Sequence, residues 1–282
     1  MIIQRPSRTS EEIIAISQPA HSWLSGQLAR NWGNKNFAGF QPFEDVCYAA
    51  ELHDIGYLNW EKNAALNPAT GLPRTFYELS APQRLKVWRT GIQQMRRVST
   101  YATVLMSKHY CGLSEKHPEN RAADRELMRK FREEQQEFRQ ELLKNLAGQK
   151  YFNDAIGGPM LEYHGQLLAN WDLISLHLCM NPSESFQVPD VPSSETATRP
   201  VRLTARSTGN WQFTNSKAAA GQQSDSEFSF GVSPWPFRQN ELRLRYEGSL
   251  LRGKFTAEGE LRQALEKAKP VLIEVELVSA EE

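Results

Sequence analysis

Over roughly the first 180 residues, apolar side chains recur mostly at intervals of three and four, which predicts helices that each bury one face. Two short apolar runs come before these helices, at Ile2-Ile3 and at Ile13-Ile14-Ala15-Ile16, and both are typical of strands. Ser17 followed by Gln18-Pro19 is a start signal for the first helix. The pattern therefore predicts a mainly α fold with short N-terminal strands.

The pattern changes after this helical region. Residues 181 to 199 are rich in proline, serine and threonine, which predicts a linker. Strict alternation then appears around residues 202 to 206, 242 to 246 and 272 to 277, as in half-buried strands. We therefore expect residues 1–185 to form a helical domain and residues 200–282 to form a small α+β appendage packed on it. Residues 215 to 227 are polar and predict a mobile loop.

Polar residues interrupt the apolar pattern at a few positions. The predicted second helix stops at His53-Asp54, shortly before Gly56, which tolerates the left-handed turn that closes helices. Imidazole and carboxylate groups are ligands for divalent metals. Adjacent helical residues do not face each other, so both side chains can reach one ion only at a helix end. Alternatively, His53 is a buried, hydrogen-bonded histidine with no chemical role.

Two more polar residues lie on apolar helical faces. His21 shares a face with Leu24 and Leu28, and Asp172 stands inside an apolar helix. Because burying such a group is costly without a partner, His21 needs one, and an ion pair or a metal at Asp172 is favoured over a solvent-facing carboxylate. Lys108-His109 comes before Gly112, so we expect these two side chains at a helix end as well.

Composition and charge exclude several classes of protein. The 33 basic and 33 acidic residues cancel, which leaves no electrostatic footprint for nucleic acid. No apolar run approaches the ~20 residues of a membrane helix, and the first residues do not form an apolar signal core. Three widely separated cysteines predict reduced thiols in the cytoplasm. The charged helix predicted in residues 118 to 148 is either a solvated face or a homodimer contact.

The order His21, His53-Asp54, Asp172, on separate predicted helices, resembles the HD-domain superfamily of metal-dependent phosphohydrolases. The resemblance covers residues 17 to 180. Trp171 to Leu176 and the turn Trp235-Pro236-Phe237 are similar to one uncharacterised bacterial branch, a domain of unknown function that supplies no substrate.

The resemblance implies an HD-type all-helical bundle in which His21, His53, Asp54 and Asp172 hold Mn, Mg, Co, Ni or Fe. Members with two metals have two further histidines between the adjacent His-Asp pair and the last aspartate. In this sequence His109 is one candidate, and His164 or His117 is the other.

The resemblance also implies hydrolysis of a small-molecule phosphoester, including nucleotides. We expect Asp54 to accept the proton of the attacking water, and Lys108 and His109 to contact the phosphate. Two other functions remain open: a di-iron oxygenase built on the HD fold, and a non-catalytic module that senses a ligand.

Overall fold

The computed structural model describes residues 1–5, 11–116, 119–206 and 226–280. Helices make up about 49% of it, and a large curled sheet makes up much of the rest. In chain order the elements are β1 (Ile2–Gln4), β2 (Glu12–Ile16), α1 (Gln18–Asn31), α2 (Phe43–Leu52), α3 (Tyr57–Lys62), β3 (Leu66–Asn67), β4 (Leu72–Pro73), a 3-10 helix (Phe76–Glu78), α4 (Ala81–Met95), α5 (Thr100–Lys116), α6 (Ala122–Leu146), α7 (Gly158–Met180), β5 (Phe186–Ser194), β6 (Ala197–Ala205), β7 (Ser226–Ser233), β8 (Glu241–Arg252), α8 (Glu258–Lys267) and β9 (Lys269–Ser279).

Seven strands form one mixed sheet in the order β1-β2-β8-β9-β7-β6-β5. All neighbouring pairs are antiparallel except β7 and β9, which run parallel. The alternation predicted from the sequence is visible in β8, where Leu242, Leu244 and Tyr246 are buried and the residues between them are exposed. β2 joins the sheet by pairing with β8, so the N-terminal strands complete a sheet that is built mostly from the C-terminal third of the chain.

Helices α1 and α7 pack against this sheet. One hydrophobic cluster contains residues of both layers, for example Leu28 of α1, Trp171 of α7 and Ile273 of β9. β2 is buried on both faces: Ile14 belongs to this main cluster, while Ile13 belongs to a second, smaller cluster on the opposite side. The helical layer and the sheet therefore share one core.

The predicted fold class, a mainly α bundle of the HD type with a small appendage, is wrong. The predicted linker at 181 to 199 instead forms β5 and the start of β6, because its Val188 and Val191 are buried in the sheet. Together with the later strands they make a seven-stranded sheet instead of a small addition. The domain boundary between residues 185 and 200 stays a prediction.

Several local expectations also change. The residues between the dyad turn and the 3-10 helix, where the sequence shows no regular apolar pattern, contain α3 and the small hairpin β3–β4. The α6 helix forms within the charged region, and the homodimer contact proposed for it stays a prediction. The predicted loop at 215 to 227 lies almost entirely outside the described residues. Among the described residues, no helix is both long and apolar enough to cross a membrane.

Candidate metal centre

The turn between α2 and α3 carries the His53-Asp54 dyad. The His53 ring donates from Nδ1 to the backbone oxygen of Ala50 at 2.9 Å, which leaves Nε2 as the ring nitrogen available to a proton or a metal ion. The hydroxyl group of Tyr110 donates to the backbone oxygen of His53 and lies 3.4 Å from Asp54 Oδ1. These contacts from α2 and α5 hold both dyad side chains in place.

The prediction that Gly56 closes the helix in a left-handed turn is wrong, because its φ is −61°. Its importance is steric. A Cβ atom at this position would lie 2.3 Å from the backbone oxygen of Val87 and 2.7 Å from the backbone nitrogen of Gly91, both in α4. The missing side chain therefore lets α4 pack directly against the dyad turn.

His21 reaches the dyad from α1. Its Nε2 is 3.1 Å from Asp54 Oδ2, and its Nδ1 is 3.0 Å from Ser175 Oγ. The Ser175 hydroxyl also donates to the backbone oxygen of Asp172 at 2.9 Å and lies 2.7 Å from Ser25 Oγ, so the His21 ring is fixed between Ser175 and Asp54. One ring nitrogen of His21 therefore faces a carboxylate oxygen at a distance that a metal ion could bridge.

Asp172 and His109 complete the cluster from α7 and α5. Asp172 Oδ1 lies 3.3 Å from His53 Nε2 and 3.7 Å from His21 Nε2, and Oδ2 lies 3.4 Å from His109 Nε2. The expectation that His109 ends a helix is wrong, since α5 continues through Gly112 to Lys116. His109 is in mid-helix and reaches the cluster because it lies on the inward face of α5.

The electrostatics of the cluster require positive charge near its two carboxylates. Burial alone lowers the pKa of His53, but the neighbouring Asp54 and Asp172 carboxylates outweigh it and raise that pKa to about 9. Burial raises the pKa of Asp172, yet the adjacent imidazoles of His109 and His53 hold it well below its ordinary value. The surroundings of Asp172 thus favour its ionised form, whose charge is balanced by protons on the histidines or by a metal ion.

The donor atoms fit a divalent metal. His21, His53 and Asp54 offer ligand atoms within 4.8 Å of one another, and so do His53, His109 and Asp172. Nε2 of His53 and Nε2 of His109 are buried with no hydrogen-bond partner among the described residues. Since an unpartnered buried nitrogen is costly, these two atoms are the strongest sign that a ligand belongs between the side chains.

A cavity of about 320 Å³ opens directly at the cluster. Apart from the five cluster side chains, its wall is mostly apolar and aromatic. The residues involved are Gln18, Tyr57, Phe76, Tyr77, Arg84, Trp88, Leu113, Leu173 and Leu176. The cluster therefore has a ligand-sized space beside it, formed by α4, α5, α7 and the 3-10 helix.

The structure does not bring Lys108 into that cavity. Its ammonium group pairs with the carboxylate of Glu162 at 2.6 Å and lines a neighbouring cavity instead. The predicted contact of Lys108 with a phosphate at the metal therefore has no geometric support. His109, in contrast, lines both cavities.

His164 also lies apart from the cluster. Its Nδ1 lies 2.7 Å from Tyr101 Oη, whose hydroxyl donates to the backbone oxygen of Ala155 at 3.0 Å, and burial lowers the pKa of His164 to about 4. His177 stacks on Phe186 near the start of β5, away from the cavity lining. His117 falls outside the described residues.

Two supporting residues were missed by sequence reasoning. Ser175 orients His21, and Tyr110 anchors the dyad turn. The signal for Ser175 was its place three residues after Asp172, which puts both on one face of α7. Tyr110 gave no comparable signal, because an aromatic residue in an apolar helix ordinarily indicates core packing.

These features describe an α/β protein that carries a buried histidine–aspartate cluster where its helices meet. The chain belongs to a family described as a protein of unknown function, DUF3891, whose model matches residues 1–253. That span includes all five cluster residues. No match to this chain was found among curated proteins or among solved structures.

The suggested membership of the HD-domain superfamily is wrong. The matching family is a different one, and the seven-stranded mixed sheet is not part of an all-helical HD bundle. The resemblance rested on the order of only four residues, His21, His53-Asp54 and Asp172, and helices of an unrelated fold can carry the same order.

Proposed function

We propose that this protein binds a divalent metal at the histidine–aspartate cluster and hydrolyses a phosphoester in the adjoining cavity. The observation that carries the proposal is the convergence of three imidazole Nε2 atoms and two carboxylates at the wall of an open cavity, with two of those nitrogens unpartnered. The donor set supports Mn, Fe, Co or Ni over Mg, because imidazole suits these transition metals better.

The proposed ligands are His21, His53, Asp54, His109 and Asp172. A divalent cation held there supplies Lewis acidity, which acidifies a water molecule and neutralises charge on the phosphoryl oxygens. In the reaction a water oxygen bonds to phosphorus, the P–O bond to the alcohol breaks, and the water's protons pass to the alcohol and the phosphate. Asp54 borders the cavity and is 7% exposed, so its carboxylate can accept the first of these protons.

We test metal binding first, on the purified full-length chain. Elemental analysis should find at least one transition metal per chain, removable by a chelator. His53→Ala and Asp172→Ala should each lower the bound metal at least tenfold, because each removes a ligand that lies near both groups of donors. Full metal retention in both variants would contradict the assignment.

Hydrolysis is tested with phosphomonoesters and phosphodiesters in the presence of each candidate metal. Asp54→Ala should lower kcat at least 100-fold, as expected for loss of a proton acceptor. Asp154→Ala, at an exposed position, is the matched control and should keep wild-type turnover. Unchanged turnover in Asp54→Ala would refute its role, and a metal-loaded protein that hydrolyses no phosphoester would refute the proposed reaction.

One observation favours an iron-dependent oxidation as a second candidate. Each of the two groups of donors contains two imidazoles and one carboxylate, the ligand set of many non-haem iron oxygenases. Iron as the purified metal, with oxygen consumption and no hydrolysis, would favour this candidate over the first. The ligand-sensing alternative predicts bound metal with neither activity.

The cytoplasm remains the proposed location. Its support is that Cys47, Cys111 and Cys179 are all free and buried, as expected for thiols in a reducing compartment.

A further inference from the structure

The mouth of the cavity exposes apolar side chains. Tyr77 is 59% exposed and Leu173 is 47% exposed, and both line the cavity. Deeper in, Trp88 and Tyr57 are buried and also face it. Large apolar side chains left open to water at the entrance of a cavity are typical of a surface that a ligand covers.

Positive charge is scarce in the same wall. Among the described residues, Arg84 is the one lysine or arginine that lines the cavity. Its Nη1 donates to the carboxylate of Glu119, and its Nη2 donates to the backbone oxygen of Leu79 at 3.2 Å. Its charge is therefore already balanced, whereas binding a chain of several phosphates calls for several cations or a second metal.

The cavity is also small. Its volume of about 320 Å³ is near the lower limit of roughly 300 to 1,000 Å³ for small-molecule sites. The histidine–aspartate cluster occupies one side of it, which leaves the apolar part for the rest of the ligand.

We infer, building on the proposed phosphohydrolase function, that the substrate carries a single phosphoryl group and an aromatic or otherwise apolar organic part. The phosphoryl group lies at the histidine–aspartate cluster, and the organic part lies against Tyr77, Leu173 and Leu176. Nucleoside diphosphates and triphosphates are not substrates, since the described wall offers no unbalanced cation for their additional charges.

The test measures phenylphosphonate and methylphosphonate as competitive inhibitors of the hydrolysis of 4-nitrophenyl phosphate by the metal-loaded protein. The two inhibitors carry the same phosphonate group and differ in the phenyl or methyl group on phosphorus. We expect the phenyl-to-methyl ratio of affinities, taken from the two inhibition constants, to be at least ten. ATP with excess metal should not be hydrolysed. Equal inhibition constants, or faster turnover of ATP than of 4-nitrophenyl phosphate, would overturn the inference.

Variants locate the effect. Tyr77→Ala and Leu173→Ala should each lower the phenyl-to-methyl ratio at least threefold, since each removes apolar surface at the mouth. Tyr151→Ala and Leu127→Ala are matched controls, because these residues are 63% and 37% exposed and do not line the cavity. The controls should keep the wild-type ratio. A wild-type ratio in both mouth variants would contradict the placement of the organic part.

A binding measurement distinguishes failure of the proposed hydrolysis from failure of the inference about the organic part. If no phosphoester is hydrolysed with any metal, the proposed function fails, and calorimetry of the metal-loaded protein with phenylphosphonate and methylphosphonate then tests the cavity alone. At least tenfold tighter binding of phenylphosphonate supports an apolar ligand. Equal affinities, or no binding of either compound, overturn the inference.

Discussion

The close approach of α4 to the dyad turn makes Gly56→Ala the sharpest test of the packing around the candidate site. The φ of −61° at Gly56 suits alanine, so the substitution causes no backbone strain. The added Cβ would nevertheless lie 2.3 Å from the oxygen of Val87 and 2.7 Å from the nitrogen of Gly91. Both are backbone atoms, so relief requires α4 or the dyad turn to move by about 1 Å.

Overpacking of this kind typically costs about 1 to 3 kcal/mol. Since no flexible side chain can yield here, we expect Gly56→Ala to lower the free energy of unfolding by about 3 kcal/mol. Gly112→Ala is the matched control. It lies within α5, where an added Cβ meets no atom within 4 Å, so alanine should stabilise the protein by roughly 0.5 to 1 kcal/mol through its better helix propensity.

Urea denaturation followed by circular dichroism measures both values, with the chelated protein used throughout so that metal binding does not contribute. A bound-metal measurement on Gly56→Ala completes the experiment, because a displaced dyad turn should also weaken metal binding. If Gly56→Ala unfolds within 1 kcal/mol of the wild type, α4 does not pack on the dyad turn as described.

Three further predictions concern His164 and two residues that support the cluster. Because burial lowers the pKa of His164 to about 4 while an unfolded histidine titrates near 6.5, the unfolded state gains its proton first as pH falls. The contribution of His164 to the free energy of unfolding is therefore complete above pH 6.5 and falls by roughly 3 kcal/mol as the pH drops from 6.5 to 4. His164→Gln should reduce that loss, and an unchanged pH profile of urea midpoints would refute it. Ser175→Ala should weaken metal binding about 10- to 100-fold by freeing the His21 ring, and wild-type affinity in a chelator titration would show that Ser175 does not orient it. Tyr110→Phe leaves the backbone oxygen of His53 unpaired and should cost about 1 to 3 kcal/mol in a urea melt, whereas a cost near zero would contradict that hydrogen bond.

The residues of the cluster could be chosen from the sequence because each one breaks a strong pattern. Asp172 stands in an apolar helix, and His53-Asp54 interrupts another. The structure brings these side chains together with His21 and His109, and their role as metal ligands stays a prediction. Lys108 was chosen on its position beside His109 alone, and the helix turns it toward Glu162 instead.

The sheet was harder to predict because its pairings are long-range. The proline-rich sequence of 181 to 199 contains no regular alternation, yet it forms β5, whose register shifts after Val188 and after Pro192. Such irregular edge strands obtain their conformation from the neighbouring strand, and a local pattern does not reveal that neighbour. The parallel pairing of β7 with β9 is likewise invisible in either strand alone.

The pairing of β2 with β8 also means that the sheet cannot be completed until late in the synthesis of the chain. Glu12 lies opposite Arg252, a partner about 240 residues later in the chain. At about 5 to 20 residues per second, a ribosome needs on the order of 10 to 50 s to make the intervening segment. During that time the edge of β2 that pairs with β8 has no partner, although α1, which follows directly and carries His21, can already be helical. The first ligand of the candidate metal centre is therefore made early but held firmly only after the last third of the chain has joined the sheet.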